Sequence, residues 1–253
     1  MSGRDPDHVV RRPVNYQTWQ QLTFLHWRYD AATVQPLLPD GLTVQEWDGA
    51  TWVGITPFRM SDVRLPGLPP PPGWDAFPEL NVRAYVRDQH GRDGIWFLGM
   101  LVPRASFLAT LRSLGLPYQL SNCEMDADER RWSYRFGTPG WLHRRGDRWF
   151  TAQVEVGQPL PEQQRTPLLD SVTGRWWAYH RRARVLWHTP VEHEPWPLHH
   201  ATVTGDLTAP LLWSGLPEPA AEPMAHAAPA VHARFGPARP AGTRRRLSNG
   251  NAG

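Results

Sequence analysis

The chain has 253 residues, 40% of them hydrophobic, and a formal net charge of +3, so it can bury a sizeable core. Its 27 basic side chains are all arginine; a GC-biased genome yields such a composition, and whatever the cause, a Schiff base on a side-chain amine is excluded. Cys123 is the single cysteine, which rules out an internal disulfide and a thiolate metal cluster. Apart from the tail arginines 244–246 the body is close to neutral, which argues against a nucleic-acid surface, and no run approaches the roughly 18 apolar residues of a membrane span.

Residues 1–14 are polar, without the apolar stretch of a signal peptide, and read as a flexible lead-in to a cytoplasmic protein. Leu22, Phe24 and His26 alternate with Thr23, Leu25 and Trp27, the period of a strand with large side chains on both faces. Asp30 is placed to cap a short helix reaching Leu38, and Pro39-Asp40-Gly41 is a turn. The arms 42–47 and 50–55 around Asp48-Gly49 predict a hairpin. Residues 65–74, with four prolines at 69–72, form a long loop suited to a rim or a partner contact. In the stretch 79–87, Glu79, Asn81, Arg83 and Tyr85 share one face, and Leu80, Val82, Ala84 and Val86 share the other. Residues 94–102 return antiparallel to it.

Further on, Pro103 followed by Phe107, Leu108, Leu111 and Leu114 predicts an amphipathic helix ending at Gly115. Residues 123–136 and 148–156 read as two strands. Thr166 and Pro167 open a second helix, with Leu169, Val172, Trp176 and Tyr179 on a common face and Gly174 as its weak point. Residues 184–188 and 201–207 are strands, and the segment 231–235 can dock in extended form. No linker interrupts the body, so the expectation is one strand-rich domain over 15–236, followed by a disordered basic tail over 237–253. The 14 tryptophans must populate the core, and some should line a pocket where the indole N–H finds a partner.

The polar face of the strand through Glu79 is open to two readings. In an ordinary amphipathic strand it faces solvent. In a curled sheet it turns inward, where Glu79 is a natural general acid or base tuned by burial and by Arg83, and Arg83 an anchor for a carboxylate or enolate oxygen. His26 is either a buried neutral imidazole or a proton-transfer group. His188, His193, His199 and His200 lie near Glu192 and Glu194 without metal-ligand spacing, and prolines break the segment, so no metal is assigned. Cys123 lacks a basic neighbour, and no nucleotide-binding loop or Gly-x-Ser-x-Gly elbow occurs; no cofactor is assigned.

The segments Leu22–Trp27 (LTFLHW), Leu38–Leu42 (LPDGL), Trp47–Val53 (WDGATWV), Pro57-Phe58, Phe77–Val86 (FPELNVRAYV), Gly94–Phe97 (GIWF), Leu116–Tyr118 (LPY) and His193–Pro197 (HEPWP) together resemble the YqjF-like conserved bacterial family, over roughly residues 15–240. That resemblance implies an acetoacetate decarboxylase-like fold: α+β, predominantly antiparallel, a curled sheet or barrel around a central cavity with a few short helices. It favours an inward Glu79 and Arg83. In decarboxylases of that fold a lysine precedes a Leu-Gly-x-Pro turn; the similar segment here, 111–118, places Arg112 and Ser113 there, and a guanidinium cannot attack a ketone.

The resulting expectation is a pocket for a small oxo- or carboxylate-bearing molecule. It is either a lyase or isomerase using Glu79 with His26 or Tyr85, or a non-catalytic binder of an aromatic or anionic ligand. Ligand contacts are expected from Arg83, Asn81, Arg112, Trp27, Trp52 and Tyr118. A structural role with a filled interior is the third reading. The expected partner is the small molecule, with neither nucleic acid nor membrane, and a homo-oligomer is left open.

Overall fold

The structure, a computed structural model, describes residues 3–139 and 148–242. Arg244 to Arg246 lie outside the described residues.

Two long strands start the fold, β1 (Asn15–Tyr29) and β4 (Ala50–Arg64). Between them come a short helix α1 (Ala31–Val34), a 3-10 turn at Gln35–Leu37, β2 (Leu42–Val44) and β3 (Glu46–Trp47). Asp30 sits at the N-cap of α1 but makes no side-chain cap bond. The Asp48-Gly49 hairpin forms, with Trp47 paired to Ala50 and left-handed φ of 50° and 71° at the two turn residues, the geometry that favours Asp-Gly there. Only Glu46 and Trp47 of the first arm join it, because β2 pairs instead with β5 (Ala76–Asp88). β1 bends where Gln21 takes φ 45° and its register with β4 slips between Gln20 and Leu25, a bulge that adds local twist.

β5 forms the expected hairpin with β6 (Asp93–Val102). Helix α2 (Ala105–Ser113) begins later than the sequence suggests, with Arg104 rather than Pro103 at its N-cap, and a left-handed Gly115 follows its end. β7 (Tyr118–Leu120) then pairs parallel to β6. The stretch expected as one strand is a hairpin, β8 (Cys123–Ala127) and β9 (Arg131–Phe136), because Asp128 accepts the backbone N–H groups of Arg130 and Arg131 and closes a turn. β10 (Phe150–Pro159) pairs with β9.

Helix α3 (Pro167–Thr173) is capped as its sequence suggests, the Thr166 hydroxyl accepting from Leu169 N, but it ends at Gly174 rather than continuing through Tyr179. Gly174 lies so close to the Gly3 carbonyl that a Cβ has no room, and the chain leaves as β11 (Trp177–Arg182), which runs parallel to β6. The chain is completed by β12 (Val185–Glu192), β13 (His199–Thr204), α4 (Ala209–Trp213), β14 (Met224–Phe235) and β15 (Arg239–Pro240). β14 is longer than the docking segment expected at 231–235 and is a central strand, paired with β1 along nearly its whole length.

The sheet runs β12-β11-β6-β5-β4-β1-β14, and an added β12–β14 pairing closes these strands into a ring. β13, β10, β9 and β8 continue from β14 as a wing. Pairings are antiparallel except those of β6 with β11 and β7, so the fold is a predominantly antiparallel, strand-rich sheet with a few short helices. The wing covers one face of the ring: Leu25, Ile55, Leu80 and Val82 pack against Trp132, Tyr134 and Phe136 in one core cluster. The other face, bearing Phe24, Phe58, Phe77 and Met100, packs against Leu169 of α3, Trp196 and Phe107 of α2 in a second cluster. A β5 buried on both faces therefore has its aliphatic residues against the wing and its polar ones on the inner side, beneath α2 and α3. Among the described residues no helix is long and apolar enough to cross a membrane.

Candidate functional site on the inner face of the sheet

Strand alternation puts Glu79, Asn81, Arg83 and Tyr85 in one row on β5, and all are buried, at 1%, 8%, 7% and 1% exposure. His26 of β1 lies beside Gly54 of β4, which in turn faces Arg83. The missing side chain at Gly54 is what lets these groups meet: a Cβ there would lie 2.6 Å from the Tyr85 hydroxyl, 3.1 Å from His26 Cδ2 and 3.3 Å from Arg83 Nε.

The row divides into two ends. At one end Tyr85 Oη is 2.6 Å from His26 Nε2 and receives Arg83 Nε at 3.0 Å. Because the guanidinium can only donate, the arrangement that gives the phenol proton an acceptor has Tyr85 donating to His26 Nε2, which leaves the imidazole proton on Nδ1. Burial, and then the charges of Arg83, His226 and Arg175, hold His26 well below its ordinary range, with the Val172 carbonyl opposing them, so His26 is neutral. Burial raises the Tyr85 phenol while Arg83 and Arg175 pull it back.

Arg83 donates to the Val172 carbonyl of α3 at 3.3 Å and lies 5.1 Å from the centroid of Phe24. No carboxylate among the described residues forms an ion pair with it. Arg175 also lies over Tyr85, 5.0 Å from the ring centroid, and donates to Gln45 and to Ser171 Oγ. Its side chain is fully buried, its nearest carboxylate is Asp93 at 4.0 Å, and Asp93 is itself held by Arg87 at 2.7 Å. Burial lowers the Arg175 guanidinium to about 10, Asp93 opposing, so it remains charged at neutral pH. This end of the row is a positive, water-poor environment in which an incoming anion would offset the burial of two guanidiniums.

At the other end Glu79 Oε1 accepts from Tyr118 Oη at 3.1 Å. Burial pushes the Glu79 carboxyl up to about 8, with the Tyr118 hydroxyl and the Asn81 amide opposing. At neutral pH Glu79 is thus a neutral acid. Oε1 is occupied as an acceptor, so its proton belongs on Oε2, which is buried without a hydrogen-bond partner. The same is true of Asn81 Oδ1, Thr56 Oγ1, His26 Nδ1 and the Nε and Nη1 atoms of Arg175. Unpaired buried polar atoms are rare and costly, and although others occur elsewhere, on Gln21, Trp47, Trp187 and His188 among them, those in this row give the inner face groups able to receive polar partners.

Arg83 does not pair with Glu79 as the sequence suggests, and it is not among the groups that move the Glu79 carboxyl. Four residues along a strand separate their Cα atoms by about 13 Å. Arg112 does not reach the inner face either: it is exposed on α2, and its Nε binds the Tyr118 carbonyl at 2.8 Å, the far end of that tyrosine from Glu79. Trp27 lies on the wing side, in the core with Leu25 and Val53; one residue of register puts it opposite His26. Trp52 shares the side of Gly54 but is partly exposed and faces Arg28 at the end of the row. Tyr118 and Asn81 do lie beside Glu79 on the inner face.

Sequence reasoning missed Arg175, Gln45, Ser171, Thr56 and Asp93. Arg175 sits in a stretch that reads as helix, and its partners are as much as 130 residues away, so no local signal exposes it.

The histidine-rich segment disperses. Glu192 pairs with Arg234 at 2.5 Å, Glu194 with His232 at 2.9 Å, and His188 is buried beside Trp177; among the described residues no His, Cys, Asp or Glu cluster can hold a metal. A surface pocket of about 520 Å³ lies here, but its lining charges are largely paired with one another, Arg64 with Asp62 as well as the pairs above. His193 is enclosed by Trp19, Trp176 and Trp196, and burial lowers its imidazole to about 4. A base depressed from 6.5 contributes stability that is complete above pH 6.5 and lost as pH falls toward 4. Urea unfolding at pH 6.5 and 4.5 should show His193→Gln losing less stability on acidification than the parent, by up to about 3 kcal/mol; equal losses would place the acid sensitivity elsewhere. Cys123, whose thiol burial pushes up to about 12, is not a nucleophile at neutral pH.

Residues 16–232 match the family model of uncharacterized conserved proteins designated DUF2071. The chain belongs to the DUF2071 family. The uncharacterized protein YqjF of Bacillus subtilis (strain 168) is 27% identical over 228 residues, covering 88% of this chain and 90% of that one. Among solved structures, the enduracididine biosynthesis enzyme MppR complexed with pyruvate superposes with a TM-score of 0.61 at 16% identity, covering 92% of this chain and 93% of that one. An acetoacetate decarboxylase-like enzyme from Sphingomonas wittichii RW1 gives 0.60 at 14% identity, covering 92% and 95%. This DUF2071 member therefore has the acetoacetate decarboxylase-like fold, and the resemblance read from its sequence blocks stands.

Proposed function

We propose that the protein is a small-molecule enzyme of lyase or isomerase type that acts on an oxo- or carboxylate-bearing metabolite without a Schiff base on a side chain. The observation that carries this reading is a buried Glu79, its carboxyl pushed up by burial and its Oε2 without a hydrogen-bond partner among the described residues, on the same inner face as the guanidinium of Arg83, which pairs with no carboxylate among the described residues. Arg83 and Arg175 hold the anionic group of the substrate. Glu79 delivers its Oε2 proton to the reacting carbon or oxygen and, once ionised, takes a proton back; a carboxyl poised near neutral pH is suited to both directions. Tyr118, donating to Oε1, steadies the carboxylate form. The His26–Tyr85 pair sits at the anion end, where Tyr85 supplies a hydrogen bond or a second proton.

The enzyme neighbours of the same fold support a small-molecule substrate, and MppR is a protein found with pyruvate. The lysine-free composition removes side-chain amine chemistry and leaves carboxylate, phenol and imidazole. A cytoplasmic site of action and a small molecule as the main partner are part of the same reading. A non-catalytic binder of an aromatic or anionic acid is favoured by one contact, the stacking of Arg83 on Phe24 at 5.1 Å, which provides an aromatic wall beside a cation.

Incubating native protein and Glu79→Gln with a metabolite mixture, and following each component by mass or by exchange of solvent deuterium into carbon, decides between the two. Turnover or exchange in the native protein that falls at least a hundredfold in the variant is the expected result. Ligand retention by both proteins with no chemistry in either makes it a binder, and turnover at full rate in Glu79→Gln rejects Glu79 as the acid.

A further inference from the structure

The unpartnered atoms form a series along the row. Glu79 Oε2 marks one end; Asn81 Oδ1 and Thr56 Oγ1, on residues that face each other across β5 and β4, come next; Arg175 Nε and His26 Nδ1 mark the other end. Each belongs to an inner-face group buried in the described structure, and along the strand the Cα atoms of Glu79 and Arg83 are about 13 Å apart. In a 2-oxo acid the carboxylate and the carbonyl are on adjacent carbons, so a molecule of that size can occupy one end of this row and not both.

We propose that the site takes an elongated linear acid, with its anionic head between Arg83 and Arg175, a hydrogen-bonding group against Asn81 and Thr56 partway along, and the polar group that reacts at Glu79. This rests on the functional reading above and narrows its substrate class. A fully extended chain advances about 3.3–3.6 Å for every three backbone bonds, so a ligand that runs along the row needs several bonds between its head and its reacting group. The separation also fits the electrostatics: an anion docked at the arginines stays far enough from Glu79 to leave its acid form undisturbed, whereas an anion held against Glu79 would meet no cation there.

The test is calorimetric titration of the full-length protein with straight-chain carboxylates from acetate to decanoate and with their ω-hydroxy counterparts, with pyruvate alongside. Lengthening alone strengthens binding through apolar burial, so the reading rests on the hydroxyl. One chain length should show an ω-hydroxy acid binding at least tenfold tighter than its parent, shorter and longer pairs should not, and in Glu79→Leu the ω-hydroxy acid should bind no tighter than its parent. Arg83→Gln should weaken all of them at least tenfold, with Arg83→Met as the second variant if the first does not fold by circular dichroism.

If acetate and pyruvate bind as tightly as any longer acid, in an Arg83-dependent manner, or if no length shows the hydroxyl gain, the elongated substrate is wrong while the carboxylate anchor stands. If no acid binds, or binding ignores Arg83, the functional reading falls with it.

Discussion

Glu79→Gln will be more stable than the parent protein at pH 9, by as much as about 4 kcal/mol, and close to equal near pH 4.5. The sign follows from the direction of the shift. The Glu79 carboxyl is raised from 4.5 to about 8 in the folded protein, so the folded state keeps a proton that the unfolded chain releases once the pH passes 4.5. The associated stability is complete below the unfolded value and is lost progressively until the pH reaches the folded value. Each unit of that window is worth about 1.4 kcal/mol. Glutamine has the same shape, still accepts from Tyr118, and does not titrate, so its curve lacks this loss. The histidines held low by burial act in the opposite direction, losing stability as pH falls from 6.5, but they are common to both proteins and cancel in the difference. Urea unfolding at pH 4.5, 7 and 9 measures it. Parallel curves for the two proteins would mean that Glu79 ionises normally and cannot serve as an acid at neutral pH.

The second large effect is expected at Gly54. Alanine there places a methyl group 2.6 Å from the Tyr85 hydroxyl, and that hydroxyl cannot move aside freely, because it is tied to His26 and Arg83 and two guanidiniums lie within 5.5 Å of its ring centroid. Gly54→Ala should therefore destabilise the protein by about 3 kcal/mol, at the upper end of overpacking costs. Tyr85→Phe alone should also cost about 1–3 kcal/mol, because it strands the Arg83 Nε–H and the acceptor at His26. Combined, the two should be less damaging than their sum by about 1–2 kcal/mol, since phenylalanine lacks the atom that meets the new methyl. Thermal or urea unfolding of the four proteins in the cycle gives this coupling directly. Strict additivity would show that Gly54 is required for some contact other than Tyr85, and the close approach that assembles this end of the site would have to be reconsidered.

Much of the site was legible because β5 is regular. Period-two alternation alone places Glu79, Asn81, Arg83 and Tyr85 on one face, and the same parity applied to β1 puts His26 with Phe24. What alternation cannot convey is the neighbour across space. Glu79 and Arg83 read as a pair because they are close in sequence, yet a strand holds residues four apart at separate stations, and each found a different partner: Tyr118 for one, Tyr85 for the other. Trp27 looked like a pocket wall by residue type, but its parity assigned it to the wing. Arg112 was placed by analogy with a lysine in related folds, and its helix presents it outward. Arg175 was hidden behind a helical pattern that ends at Gly174.

Taken alone, the sequence determined the chemistry available to this protein: no lysine, hence no side-chain Schiff base, and a single cysteine that forms no internal disulfide. It also determined which side chains share a face of β5, since that depends only on backbone geometry. The tertiary structure decided which face turns inward, because closure of the ring through β12 and β14 and the covering wing depend on pairings between distant segments. Only the assembled fold then made Glu79 a neutral acid and brought Arg175 from the end of α3 to Tyr85. Burial and long-range proximity are properties of the packed chain, and neither leaves a periodic trace in the residues that experience it.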